Sequence, residues 1–243
     1  MANPKADPKA NIVLIHGAWH GGWCWRLVRD DLTARGHTVF TPSLTGLGDR
    51  AHLMSRDVNL DTHIADVVSL IEAEELDNVI LCGHSYGGMV ITGAADIVGD
   101  RVKSLVYLDA LVPASGQSAL SLLAPEGAKR FREKADANGN GWKIPPIKAE
   151  AFGVTDLDLA AWINRRCVPH PLASMEQPLE LKHPARREIP CTYVLAEDFP
   201  NFKPVHDRLA KDPTWTCHTL PCGHDVMAIM PGELSDILDD LTK

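Results

Sequence analysis

Six short runs of apolar residues alternate with helical patterns along the chain. Between the second and third runs, Ile64, Val67, Val68 and Ile71 repeat with the i, i+3, i+4, i+7 spacing of one helix face. Continuous apolar strands that alternate with helices are typical of a mostly parallel sheet with helices on both faces. The pattern therefore predicts an α/β fold with strands at 11–15, 37–41, 78–82, 103–108, 191–196 and 214–219.

Local signals define the ends of two early helices. Asp61 is the predicted N-cap of the helix that begins near Thr62, because an aspartate side chain can accept hydrogen bonds from the first free N–H groups. A second helix is predicted over residues 22–35 and ends at Gly36. No period of 20–50 residues recurs, which excludes a repeat protein.

The distance between the fourth and fifth runs is far greater than one crossover needs. We predict that residues 114–188 form a helical cap, inserted before the penultimate strand. Such a cap would enclose a pocket above the sheet edge and exclude water. The helices of the cap are expected at 117–137, 157–167 and 175–182. Residues 1–10 are expected to be a disordered lead-in. The core is formed by residues 11–113 and 189–243.

Residues 83–87 read Gly-His-Ser-Tyr-Gly and directly follow the third apolar run. A helix-compatible stretch begins at Gly88. A G-x-S-x-G sequence between a strand and a helix is typical of a nucleophile elbow, where a strained turn exposes the serine hydroxyl. Ser85 is therefore the predicted nucleophile, and the alternative is an ordinary Gly/Ser turn.

A serine hydroxyl needs a base, and the base needs an orienting acid. His224 is the predicted base because it lies in a loop just after the last apolar run. Asp198 is the predicted acid because it follows the fifth run, and Glu197 is the alternative beside it. Asp109 is a third candidate, at the end of the fourth run, where some enzymes of this kind carry their acid.

Acyl transfer also needs N–H donors that bind the developing oxyanion. One is predicted to be the backbone N–H of Tyr86, the residue after the nucleophile, and the other that of Ala18 in the loop after the first strand. This Gly-rich loop, residues 16–22, lacks the spacing of a phosphate-binding motif, so a nucleotide site is not expected.

Composition limits the remaining possibilities. The net charge is −8 and no basic block occurs, which argues against a nucleic-acid partner. No apolar run is long enough to span a membrane, and the N-terminus lacks the apolar region of a signal peptide. The six cysteines are scattered and include no C-x-x-C, so we expect reduced thiols, no metal and a cytoplasmic location.

The motifs together resemble the α/β-hydrolase superfamily, and more narrowly the family of plant methyl esterases, hydroxynitrile lyases and bacterial hydrolases of pyrethroids and carbendazim. The resemblance implies a cofactor-free triad of Ser85, Asp198 and His224, with Ala18 and Tyr86 as oxyanion donors. The stretches that carry it are HGAWHGGWCW at 16–25, TPSLTGLGDRAHL at 41–53, LCGHSYGGMVITG at 81–93, LVYLDALVP at 105–113, LAED at 195–198 and GHDVMA at 223–228.

Two departures from the lyases of this family favour hydrolysis. Those lyases have a threonine after the first-strand histidine and a lysine after the catalytic histidine. Gly17 and Asp225 stand at these positions. Because cyanohydrin cleavage needs a positive charge to hold cyanide, the carboxylate of Asp225 would oppose it.

We therefore expect a serine hydrolase that cleaves a small, neutral, apolar carboxylic or carbamate ester through an acyl-enzyme, since no charged clamp is evident. The alternatives are a hydroxynitrile lyase-type enzyme and a ligand-binding receptor on the same fold. The expected partner is a small molecule, without nucleic acid or membrane, and the sequence leaves a homodimer open. The predicted pocket walls are Trp19, Trp142, Phe152 and Trp162.

Overall fold

The computed structural model describes residues 9–183 and 188–243. Most of the predicted lead-in and residues 184–187 of the predicted cap lie outside the described residues. Within them, the strands of the main sheet are β1 (Asn11–Ile15), β2 (Thr38–Phe40), β3 (Val79–His84), β4 (Val102–Leu108), β7 (Cys191–Ala196) and β8 (Trp215–Leu220). These six strands form one parallel sheet in the order β2-β1-β3-β4-β7-β8, which confirms the predicted fold class.

Helices alternate with these strands as the apolar pattern predicts. The helix expected at 22–35 begins as a 3-10 turn over Gly22–Trp25. The helix expected to begin near Thr62 has Asn59 as its N-cap rather than Asp61, because the Asn59 side chain accepts the N–H of Thr62 at 3.0 Å. The helices are α1 (Arg26–Ala34), α2 (Leu60–Ala73), α3 (Gly87–Val98), α4 (Pro125–Asn138), α5 (Leu157–Asn164), α6 (Leu172–Glu176), α7 (Lys203–Leu209), α8 (Val226–Ile229) and α9 (Pro231–Asp240).

Each face of the sheet buries a separate apolar layer, because successive side chains of a strand point to opposite faces. On one face, Val13 and Leu81 belong to the same buried cluster as the apolar side chains of α2 and α3. On the other, Leu14 and Cys82 share a cluster with those of α1 and α9. Both faces are thus covered, and the carboxyl ends of the strands form one edge at which the site lies.

The predicted cap contains shorter helices than its sequence pattern indicates. The helix expected at 117–137 is α4, preceded by a 3-10 turn at Leu120–Leu122. Two short strands, β5 (Lys143–Ile144) and β6 (His170–Pro171), pair antiparallel within it. Ala149, Val154, Ala160 and Ile163 form a small buried cluster, whereas Phe152 and Met175 belong to the same buried cluster as one face of the sheet. No helix in the described part of the chain is long and apolar enough to cross a bilayer.

Candidate active site

Ser85 lies in the turn between β3 and α3 with φ of 55°. A side chain rarely adopts this left-handed conformation, and it is held here by hydrogen bonds on both sides of the residue. The Ser85 N–H donates to the Leu108 carbonyl at 3.1 Å, and the Ser85 carbonyl accepts the N–H of Leu111 at 3.1 Å. The turn is therefore fixed to the end of β4 and the chain that follows it.

The two motif glycines are required by close packing of the elbow. A Cβ on Gly83 would lie 2.6 Å from the carbonyl oxygen of Gly87, and a Cβ on Gly87 would lie 2.9 Å from that of Ile15. Both distances are shorter than real Cβ contacts, so only glycine lets the strand and the helix approach so closely. The sequence pattern and the packing agree that residues 83–87 are an elbow.

His224 lies in the loop after β8, where its backbone N–H donates to the Phe152 carbonyl at 2.8 Å. Its ring nitrogen Nδ1 is 2.6 Å from Oδ2 of Asp109, and both side chains are buried. Asp109 has φ of 43°, and its other oxygen, Oδ1, accepts the N–H of Ala196 at 3.2 Å. Burial raises the pKa of the Asp109 carboxyl, while the hydrogen bond from His224 acts in the opposite direction.

The partner of His224 is thus Asp109, which was the third candidate, and the prediction that Asp198 is the acid partner is corrected. Asp198 is exposed in the turn after β7, and its backbone N–H binds the Cys222 carbonyl at 3.1 Å. Glu197 is also exposed and pairs through its N–H with Leu220 at 2.9 Å. Both side chains lie in the turn that follows β7 and are accessible to solvent.

Two histidines hold the loop that carries Ala18. The N–H of Leu44 donates to Nε2 of His16 at 3.0 Å, so Nδ1 carries the proton and donates to the Gly17 carbonyl at 2.8 Å. That carbonyl belongs to the same peptide group as the Ala18 N–H. Burial lowers the pKa of His16 to about 3, so the ring is neutral in this role.

His20 fixes the next peptide of the loop. Its Nδ1 donates to the Ala18 carbonyl at 2.8 Å, and its Nε2 lies 3.4 Å from Oδ1 of buried Asp225. Burial alone would lower the pKa of His20 and raise that of Asp225. Their mutual attraction prevails, so the pKa of His20 is raised and that of Asp225 is lowered to about 2. The pair joins the Ala18 loop to the residue after His224.

The predicted donors face the same space as the predicted nucleophile. Ala18 and Tyr86 line one cavity with Ser85 and His224. Among the hydrogen bonds of the described residues, neither the Ala18 nor the Tyr86 N–H has an acceptor. No hydrogen bond in the described residues joins the Ser85 hydroxyl to His224, although both line the cavity; catalytic hydrogen bonds often tighten only when substrate binds.

The cavity has a volume of about 630 Å³ and extends from Ser85 toward α4 and α7. Two of the four predicted walls line it, Trp19 and Phe152, whose rings lie 5.9 Å apart. Trp142 and Trp162 are not among its lining residues, which corrects the prediction. Trp142 packs under the ammonium group of Lys143 instead. The Trp162 ring packs against that of Trp23, with the ring centroids 5.0 Å apart. These side chains contribute to packing outside the cavity.

Several lining residues were missed by the sequence reading. Phe199 and Phe202 pack on the His224 ring with centroids 4.6 and 5.4 Å away. The sequence signal for them is the aromatic residue directly after Asp198. Three cationic side chains also line the cavity, contrary to the expectation that no charged group does: Arg130, Lys134 and Arg208.

Comparison with known proteins shows the family to which the chain belongs. The sequence profile of the alpha/beta hydrolase family matches residues 12–237. A carbendazim-hydrolyzing esterase from Nocardioides sp. (strain SG-4G) is 47% identical over 241 residues, which cover 94% of this chain and 98% of that protein.

Solved structures show the same similarity. An extracellular alpha/beta-hydrolase from a Paenibacillus species, which shares homology with tobacco salicylic acid binding protein 2, matches with a TM-score of 0.85 at 26% identity, over 96% of this chain and 98% of that one. A pyrethroid hydrolase from Sphingobium faniae JZ-2 matches with a TM-score of 0.75 at 26% identity, over 96% and 97%. The predicted family resemblance is confirmed, and the chain is an enzyme of the alpha/beta hydrolase family.

Proposed function

We propose that the protein is a serine hydrolase of carboxylic or carbamate esters, with Ser85 as nucleophile, His224 as base and Asp109 as acid. One observation carries the proposal. The His224 ring, hydrogen-bonded to a buried carboxylate at 2.6 Å, lines the same cavity as a serine on a left-handed turn. This is the set of groups that makes a weak nucleophile reactive.

The proposed reaction has two halves. Because Nδ1–H of His224 donates to Asp109, Nε2 keeps a lone pair and accepts the proton of Ser85 as the serine oxygen bonds to the carbonyl carbon. The intermediate then expels the alcohol, which takes that proton from His224, and an acyl-enzyme remains. Water repeats the sequence on the acyl-enzyme and releases the acid. Asp109 holds the imidazole orientation and stabilises its cation in both halves.

The oxyanion of each intermediate is proposed to bind the N–H groups of Ala18 and Tyr86. Such donors contribute a few kcal/mol each when they are fixed before the reaction begins. The hydrogen bond from His16 to the Gly17 carbonyl supports this role, because it orients the peptide that carries the Ala18 N–H. It also polarises that peptide group, which strengthens the N–H as a donor.

The proposed substrate has an apolar body next to the scissile group. Apolar side chains form most of the cavity, and its volume is in the range that holds a drug-sized molecule. The Nocardioides relative hydrolyses carbendazim and the Sphingobium relative is a pyrethroid hydrolase. A carbamate ester or a carboxylic ester of similar size is therefore the favoured substrate class.

Two features of the site argue against the lyase alternative. A Cβ on Gly17 would lie 2.8 Å from the Ser85 Cβ, so the elbow leaves no room there for the threonine of the lyases. Asp225 is buried against His20 and does not line the cavity, so it does not repel cyanide directly, as the sequence suggested, but this position also supplies no cation that could hold cyanide. A receptor role is disfavoured because a protein that only binds its ligand has no need of a base–acid pair.

The proposal is tested by Ser85→Ala with p-nitrophenyl acetate. We expect kcat to fall by at least about 10³-fold while the circular dichroism spectrum is unchanged. Mass spectrometry of the wild-type enzyme, quenched during turnover, should find one acetyl group on the peptide that contains Ser85. A variant that keeps more than about a tenth of the wild-type rate would exclude Ser85 as the nucleophile.

A further inference from the structure

Three cations line the candidate active-site cavity at the end formed by α4 and α7. Arg130 and Lys134 lie one turn apart on α4, and Arg208 lies on α7. Among the described residues, no aspartate or glutamate lines the cavity. We call Arg130, Lys134 and Arg208 the rim cations.

The rim cations differ from the other cations of the same two helices. Beside them on α4, Lys129 pairs with Glu133 at 3.7 Å and Arg132 with Glu176 at 2.7 Å. On α7, Lys203 pairs with Asp207 at 2.9 Å. In the described part of the chain, none of the rim cations forms a side-chain hydrogen bond or an ion pair. The cations that face away from the cavity are thus neutralised, and those that face it are not.

This arrangement stands out in a protein whose net charge is −8. The chain has 32 carboxylates and 24 lysines and arginines, yet no carboxylate of the described residues lines the cavity. A cluster of one sign beside a low-dielectric wall focuses its field and attracts the opposite charge. The rim is therefore suited to an anionic group.

Most of the other residues that line the cavity are apolar. They include Leu123 and Phe131 from the cap and Val205 from α7. Arg130 and Arg208 are exposed, whereas Tyr86 and His224 are buried, so we place the rim cations on the solvent side of the cavity. A ligand that contacts both Ser85 and the rim cations therefore needs an apolar body and an anionic group.

We propose that the rim cations bind a carboxylate carried by the substrate, so that the preferred ester has an apolar body and a carboxylate remote from the scissile carbonyl. This inference rests on the proposed hydrolase function and revises the neutral substrate expected from the sequence. The carboxylate takes no part in the chemistry. It aligns the ester along the cavity and increases the rate of encounter.

The test compares pairs of esters that differ only in this charge. For the acyl side, the p-nitrophenyl half-ester of adipic acid is compared with p-nitrophenyl hexanoate. For the alcohol side, 4-acetoxybenzoate is compared with 4-methylphenyl acetate. The quantity measured is the ratio of kcat/KM for the charged ester to that for its neutral partner, from initial rates. The ratio cancels any general change in catalysis or folding.

The variant Arg130→Gln/Lys134→Gln/Arg208→Gln removes the rim cations. Its matched control, Lys129→Gln/Arg132→Gln/Lys203→Gln, removes three cations from the same two helices and has the same net charge. For the acyl pair, the alcohol pair or both, we expect the rim variant to lower the ratio by about tenfold. The control should leave the same ratio within about twofold of the wild-type value. For the wild type, the ratio should also fall as salt is raised from about 0.02 M to about 0.5 M.

Equal ratios in the wild type, the rim variant and the control, on both sides, would overturn this inference alone, provided that hydrolysis still requires Ser85. If neither member of either pair is hydrolysed, or if Ser85→Ala hydrolyses them at the wild-type rate, the proposed function fails and this inference fails with it.

Discussion

The ends of β4 and β7 present the same local sequence feature with different outcomes. Each strand is buried and parallel, and each is followed by an aspartate at the same edge of the sheet. Asp109 follows β4 at once, turns inward with φ of 43°, and reaches His224 at 2.6 Å. Asp198 follows β7 one residue later and is exposed.

The difference shows that the position of a carboxylate in the sheet matters more than its distance from the histidine along the chain. β4 is the neighbour of β3, so its end lies beside the elbow that carries Ser85. The Ser85 carbonyl even accepts the N–H of Leu111, two residues after Asp109. The left-handed turn at Asp109 then directs its side chain under the loop of His224 instead of toward solvent.

The largest expected effect tests whether Asp109 and His224 act as one unit. We expect His224→Ala to lower kcat by about 10³-fold or more, and His224→Ala/Asp109→Asn to be little worse, because an acid without its base has nothing to orient. The measurement is kcat for p-nitrophenyl acetate in the single and double variants.

His224→Ala/Asp198→Asn is the control, and its loss should equal that of His224→Ala alone. A further loss of about 100-fold on adding Asp109→Asn would mean that Asp109 serves another step.

The next effect separates a carboxylate used for stability from one used for catalysis. Asp225 is as buried as Asp109 but pairs with His20. Removing one partner of a buried pair is costly, so Asp225→Asn should lower the free energy of unfolding by about 3 kcal/mol. Urea unfolding measures this change, with Asp198→Asn as an exposed control that should stay within about 0.5 kcal/mol.

The pH dependence of that loss has a defined sign. The pKa of Asp225 is lowered to about 2, so its contribution is present above the unfolded value of about 3.9 and is lost as pH falls through about 2. The pKa of His20 is raised, so its contribution is present below about 6.5 and is lost as pH rises through its folded value. The stability gap should be widest between about pH 4 and 6.5. A gap that is constant from about pH 2 to 9 would contradict the ion pair.

The smallest effect concerns the cavity wall. Phe152 lines the cavity and its ring lies 5.3 Å from that of His224. Phe152→Leu should raise KM for an aryl ester by about three- to tenfold, because contact with an apolar substrate is lost. Trp162→Phe, outside the cavity, should leave KM within about twofold. Equal changes in KM would show that the two side chains do not differ in their access to substrate.

The parts of the site that local sequence determines could be predicted. The elbow needs only a strand, a turn with glycines at fixed positions and a helix, so five consecutive residues were enough to predict the turn in which Ser85 lies. The position of His224 in the loop after the last strand was predicted in the same way. The choice between Asp109 and Asp198 depends on the order of strands in the sheet and on one backbone turn, which residue types alone do not determine.

The cavity walls depend on packing between distant segments and were harder to predict. Trp142 and Trp162 are large and apolar, as a wall residue would be, but cations and Trp23 cover them outside the cavity. In the described part of the chain, Lys129 and Arg132 are paired whereas Arg130 and Lys134 are not, although all four lie on one helix. The sequence shows which residues of a helix are charged, but the partner of each charge can come from a distant segment, as Glu176 does for Arg132.

The claim that Asp109 orients His224 is tested most directly by comparing Asp109→Asn with Asp198→Asn in one assay. We expect Asp109→Asn to lower kcat by about 10²- to 10⁴-fold with little change in KM, since the imidazole loses the acceptor that fixes its tautomer. Asp198→Asn should keep kcat within about twofold of the wild type. A folded Asp109→Asn enzyme with normal kcat, alongside an inactive Asp198→Asn enzyme, would contradict the account and assign the acid to the end of β7.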